Sequence, residues 1–77
     1  KECDFVIKEN NKIKQAIQVT HELNDENKNR EINGLSEAME KYNLKEGLIL
    51  TYDEEDEIKL NTKIIRIKPV WKWVLKN

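Results

Sequence analysis

The chain has 77 residues, of which 38% are hydrophobic and 38% are charged, as expected for one small, highly charged globular domain. Its formal net charge of −1 gives no overall attraction to nucleic acid or anionic lipid. Cys3 is the single cysteine, which excludes an internal disulfide and favours a reducing, cytoplasmic location. No apolar run approaches the roughly 20 residues that cross a bilayer, so no membrane partner is expected.

A pair of strands is the first predicted unit. Phe5–Ile7 is a short β-prone run, and Asn10-Asn11 is a turn signal that precedes a second extended segment, Ile13–Leu23. Alternation along the second segment places Gln18 and Thr20 on one face. It places His21 with the apolar residues of the other face, which predicts a buried histidine.

One long helix is predicted over Asp25–Tyr42. Amide and acidic side chains at residues 24–26 favour a helix start there. Asn43 suits a left-handed C-cap. The apolar residues recur at helical spacing and predict the buried stripe, while Glu37, Glu40 and Lys41 fall on the solvent side; the stripe consists of Ile32, Leu35, Ala38, Met39 and Tyr42.

A buried strand and a hairpin complete the chain. Gly47–Tyr52 is almost continuously apolar, which predicts a central strand, parallel to the second strand through a right-handed crossover. Ile58–Leu60 and Lys63–Val70 are predicted to pair, with Pro69 ending the last strand. The spacing of apolar residues from Val70 to Lys76 predicts a short helix in which Val70, Trp73 and Val74 cap the core. The predicted fold is therefore α/β, with a mixed sheet of about four strands, one long helix and a short C-terminal helix.

This order of elements resembles the restriction-endonuclease-like fold, and the whole chain resembles the C-terminal domain of a prokaryotic AAA-type ATPase family. The resemblance is carried by four segments: Glu2-Cys3-Asp4-Phe5-Val6, Gln18-Val19 with Glu22-Leu23, Lys45-Glu46-Gly47 leading into Leu48–Tyr52, and Ile67–Trp73. It implies that residues 1–77 are a single C-terminal accessory domain. Because the chain opens on Lys1 without an initiator methionine, we expect it to be a fragment of a longer protein.

The resemblance also implies a nuclease-like metal site. Asp4 matches the first metal-site aspartate, Gln18 the second acid and Thr20 the lysine. Gln18 offers only a neutral carbonyl and Thr20 no cation, so one carboxylate is left where Mg²⁺ needs more. Glu22, two residues beyond Thr20, is the alternative metal ligand. No catalytic residue is therefore assigned, and Asp4 and Glu22 are the candidates for binding a metal.

No cofactor is expected in this chain. Its two glycines, Gly34 and Gly47, cannot form the glycine-rich loop that cradles ATP phosphates. If the parent protein is an ATPase, its nucleotide site is elsewhere.

The last twenty residues carry basic side chains and no acid. Arg66, Lys68 and Lys72 are candidate nucleic-acid-binding residues, because cations interleaved with Trp71 and Trp73 could contact phosphates and stack on bases. The alternative is a solvated strand face with at least one tryptophan in the core.

Three functional hypotheses follow. The first is a non-catalytic accessory or interaction domain whose partners are the rest of a parent ATPase and a partner protein or nucleic acid. The second is a metal-dependent nuclease domain. The third is a nucleic-acid-binding module that uses the basic C-terminal third.

Overall fold

The structure, a computed structural model, describes residues 3–76. The chain forms a mixed sheet of five strands in the order β1-β2-β3-β5-β4, with a long helix between β2 and β3 and a short helix after β5. The elements are β1 (Phe5–Glu9), β2 (Lys12–Val19), α1 (Lys28–Lys41), β3 (Glu46–Thr51), β4 (Asp56–Leu60), β5 (Lys63–Pro69) and α2 (Val70–Lys76). This confirms the α/β class, the long helix and the C-terminal helix. The sheet has five strands where about four were predicted.

Both predicted hairpins are present. Strands β1 and β2 are antiparallel, and the turn between them uses Asn10 and Asn11 at φ values of 54° and 65°. Asparagine tolerates this left-handed backbone better than most residues, which explains the turn. Strands β4 and β5 are also antiparallel, with Asn61 at φ 54° in their turn. Strand β5 ends at Pro69, as predicted.

Strand β3 is the centre of the sheet and is parallel to both β2 and β5, as the apolar run predicted. Helix α1 supplies the crossover from β2 to β3. Its predicted stripe packs on the sheet: Leu35, Ala38 and Met39 are buried, and Ile32 and Tyr42 are partly buried against the same core. Asn43 follows the helix with φ 58°, in the left-handed conformation predicted for a C-cap.

Close packing between α1 and the sheet depends on Gly47. A Cβ atom at Gly47 would lie 2.6 Å from Met39 Sδ and 2.9 Å from Leu35 Cγ, closer than real Cβ contacts come. The side of Gly47 on which another residue would carry its side chain therefore faces α1. Strand alternation places Ile49 and Thr51 on that face of the sheet too. Gln18 pairs with Ile49 and shares this face.

Two boundaries differ from the prediction by three residues or more, and the predicted burial of His21 was wrong. Helix α1 begins at Lys28, three residues after the predicted start, because Asn24 Oδ1 accepts the N–H groups of Glu26 and Asn27 and holds them in a turn. Strand β2 ends at Val19 rather than Leu23. His21 therefore lies beyond the strand, where it is exposed and stacks on Tyr52 with ring centroids 5.3 Å apart.

The sheet face opposite α1, which we call the second face, is only partly covered. Ile17, Leu48 and Leu50 point to this side by alternation. Helix α2 packs against β3 and β5, and its Trp73 is half-buried beside Leu48. Trp71 is 54% exposed, so one of the two tryptophans packs and the other does not. Neither helix among residues 3–76 is long and apolar enough to span a membrane.

Candidate functional site

Asp4 and Gln18 meet across the β1–β2 hairpin. The register of the hairpin places residue 4 beside residue 18. Gln18 Oε1 accepts a hydrogen bond from the Asp4 N–H at 2.6 Å. Asp4 Oδ2 accepts a hydrogen bond from the Val19 N–H at 2.9 Å. Each side chain therefore bonds to backbone on the other strand, and together they fasten the open end of the hairpin.

Gln18 is fully buried beneath α1. Its carbonyl oxygen is occupied by the Asp4 backbone, and its Nε2 has no hydrogen-bond partner among residues 3–76. A neutral amide at this position avoids the free-energy cost of burying a charge next to the Asp4 carboxylate. The glutamine is thus suited to a structural role in the hairpin, where an acid would be suited to holding a cation.

Thr20 and Glu22 lie just after β2 and organise the approach to α1. Thr20 Oγ1 donates to the Glu22 carbonyl at 3.2 Å and accepts from Asn27 Nδ2 at 3.4 Å. Asn27 Nδ2 also donates to the Glu22 carbonyl at 2.9 Å. Here Glu22 takes part through its backbone, and its side chain is exposed. The role of Glu22 as a metal ligand remains a prediction.

Glu31 is a buried carboxylate that the sequence analysis placed in no site. It lies in the first turn of α1, is 3% exposed and approaches Arg30 Nε at 3.8 Å. Its spacing of four residues from Leu35 was the sequence signal that it belongs to the buried stripe. Within residues 3–76, no group of three or more His, Cys, Asp or Glu side chains is arranged to hold a metal ion.

Two of the three candidate nucleic-acid-binding residues form ion pairs within the domain. Arg66 Nε lies 3.1 Å from Glu46 Oε1, and Arg66 Nη1 lies 3.1 Å from Glu57 Oε1. Lys72 Nζ contacts both carboxylate oxygens of Glu55, at 2.8 and 3.1 Å. The hydrogen bond to Glu46, reinforced by the charges of Glu46 and Glu57, raises the pKa of Arg66. These carboxylates reduce the positive potential available to a phosphate backbone.

Several large apolar side chains are exposed on the second face or on the helix that crosses it. Phe5 and Ile7 belong to that face because Phe5 pairs with Ile17, and Val19 belongs to it by alternation. We call this set the apolar surface; its members and exposed fractions are Phe5 60%, Ile7 38%, Val19 46%, Val70 40%, Trp71 54%, Val74 58% and Leu75 79%. Val70 and Val74 were predicted to cap the core, but they are largely exposed because Trp73 is the α2 side chain that packs against the sheet.

Comparison with known proteins identifies a longer relative. The chain is 41% identical over 83 aligned positions to "Uncharacterized protein MJ1544" of Methanocaldococcus jannaschii, and the match covers 96% of the chain. It covers 18% of the relative's length. No family model and no solved structure matches the chain. The chain is therefore an α/β domain homologous to part of a larger, uncharacterized archaeal protein.

Proposed function

We propose that this chain is a non-catalytic interaction domain of a larger protein, and that its apolar surface docks on the remainder of that protein. The observation that carries the proposal is the exposure of seven large apolar side chains on one side of a domain of 77 residues. Single exposed apolar residues are common, but a group of them on one side is typical of an interaction surface.

The occupant we assign to the apolar surface is another segment of the same polypeptide. The homologous protein is more than five times longer than the aligned region, since that region is 18% of its length. A domain joined covalently to its partner needs only a modest interface, because the linker keeps the two at a high effective concentration. Trp71 is the expected anchor of the interface, since tryptophan contributes more binding free energy than most residues.

The non-catalytic part of the proposal is supported by the Asp4–Gln18 contacts. Two oxygens that a nuclease would direct toward a cation accept backbone N–H groups here. We further propose that the larger protein is a prokaryotic AAA-type ATPase, that this domain descends from a restriction-endonuclease-like ancestor, and that the protein acts in the cytoplasm. The sequence resemblance of the four segments described above supports the first two of these statements, and the single cysteine supports the third.

Cysteine footprinting tests the docking proposal. We expect Leu75→Cys and Phe5→Cys to react rapidly with a thiol reagent in the isolated chain, since both positions are exposed. In the longer polypeptide that we propose carries this chain, both should react at least about tenfold more slowly, because an interface excludes the reagent. Fragmentation of the labelled peptides in the mass spectrometer locates the label and distinguishes residue 5 from the native Cys3, which lies two residues away.

Asn33→Cys is the matched control, because Asn33 is exposed on α1, on the other side of the sheet. Its reaction rate should be the same in both proteins. Equal rates for Leu75→Cys in the two proteins would overturn the docking proposal. Protection at Asn33→Cys as large as at Leu75→Cys would also contradict the proposal, because the protection would not be specific to the apolar surface.

A further inference from the structure

A basic groove lies between the first half of β2 and the start of β3. The parallel ladder between these strands begins at Ile17 and Leu48, and the residues before it on both segments line the groove. The groove has a volume of about 690 Å³, within the range of small-ligand sites. Its lining includes residues 14–16, residues 44–48 and Trp73 of α2.

The charge of this groove contrasts with that of the whole chain. Lys14, Lys45, Arg66 and Lys68 line it, and Glu46 is the one carboxylate among its lining residues. The chain as a whole has a net charge of −1, so the positive charge is a local concentration. Cations gathered in a concave site focus the potential and attract anions.

Lys14 and Lys45 differ in their surroundings from the basic residues that form ion pairs. Arg66, Lys63 and Lys72 each pair with a carboxylate at 3.2 Å or less. Lys14 and Lys45 are exposed, and among residues 3–76 neither forms an ion pair with an acid. Their ammonium groups are therefore available to an anion without breaking an internal pair.

We propose that this groove binds a nucleoside phosphate. Lys14 and Lys45, which come from the two chain segments that line the groove, would contact the phosphate. Trp73 would provide an aromatic surface on which the base stacks, an interaction that tolerates any base. The same chemistry could come from a free nucleotide or from a nucleotide within a single strand. The groove is distinct from the apolar surface and from the Asp4–Gln18 contacts, so the inference does not depend on the proposed function.

Tryptophan fluorescence of a Trp71→Phe chain tests this proposal, because Trp73 is then the single tryptophan of the 77 residues. We expect saturable quenching by adenosine monophosphate, measured at an excitation wavelength that adenine does not absorb. Inorganic phosphate should compete weakly with adenosine monophosphate, and adenosine without a phosphate should bind more weakly than adenosine monophosphate. At about 50 mM salt, Lys14→Glu or Lys45→Glu should weaken binding at least about fivefold, and added salt should weaken it in the parent.

Lys28→Glu is the matched control, since it makes the same change in net charge at the start of α1, outside the groove. It should change the affinity less than about twofold, the effect expected of a distant, screened charge. A short single-stranded oligonucleotide that binds more tightly than the mononucleotide would identify nucleic acid as the source. The absence of saturable quenching up to about 10 mM nucleotide, a concentration far above useful affinity, would overturn the proposal. Equal losses of nucleotide affinity in Lys14→Glu and Lys28→Glu would also overturn the proposal.

Discussion

Leu35→Ala and Met39→Ala should each lower the free energy of unfolding by about 2–5 kcal/mol, the range for truncating a large buried side chain. Both side chains are fully buried between α1 and the sheet, and both lie directly over Gly47. Because a domain this small has little stability to spare, either variant is expected to be largely unfolded at physiological temperature. Denaturant unfolding followed by circular dichroism measures the change.

Glu37→Ala provides the control for this prediction, because Glu37 is exposed on the same helix. A surface change of this kind should alter the free energy of unfolding by less than about 0.5 kcal/mol. If Leu35→Ala and Met39→Ala also changed the free energy of unfolding by less than about 0.5 kcal/mol, that result would contradict the packing of α1 on β3.

Gln18→Glu should be nearly as damaging, although it changes a single group from amide to acid. The position is fully buried beside Asp4, so desolvation and the neighbouring carboxylate would both raise the pKa of the introduced acid in the folded state. An acid whose pKa is raised in the folded state destabilises the fold only at pH values at which it is ionised in the unfolded chain. The loss is therefore absent below the unfolded pKa near 4.3 and grows as the pH rises toward the folded pKa.

The free energy of unfolding of Gln18→Glu should consequently lie close to that of the parent near pH 4 and about 2–4 kcal/mol below it at neutral pH. Gln15→Glu, on the same strand but exposed, should show no such pH dependence. Equal stability of Gln18→Glu and the parent at neutral pH would contradict the burial described here. Recovery of the lost stability with Mg²⁺ would support descent from a nuclease-like metal site.

Periodicity and turn chemistry predicted much of the fold. The stripe of α1, the apolar run of β3 and the paired asparagines of the first turn are local patterns, each with a direct structural meaning. The start of α1 was missed because the side chain of Asn24 bonds two backbone N–H groups, an arrangement that competes with the helix and cannot be distinguished from an N-cap by residue type. The exposure of His21 depended on where β2 ends, which alternation alone does not define.

The closeness of Asp4 and Gln18 could be predicted from the sequence, but the hydrogen bonds that they form could not. The hairpin placed Asp4 beside Gln18, since pairing follows from the turn. Which atoms bond to which backbone groups depends on side-chain conformation and is not encoded in the spacing. The ion pairs of Arg66 with Glu46 and Glu57 join three strands, so they depend on the strand order of the sheet. The groove could not be predicted for the same reason. Lys14 and Lys45 lie far apart in sequence, so their meeting also depends on the strand order.

The central claim is that Asp4 and Gln18 fasten the hairpin and do not serve as metal ligands. A titration of the unmodified chain with Mg²⁺, followed through the amide signals of Asp4 and Val19, tests it most directly, because each of these N–H groups donates to one of the two side chains. We predict that neither signal shifts and that both amides remain protected from exchange up to about 10 mM Mg²⁺, a concentration at which a functional carboxylate site would bind the ion. Saturable shifts of both signals, lost in Asp4→Ala, would contradict the claim.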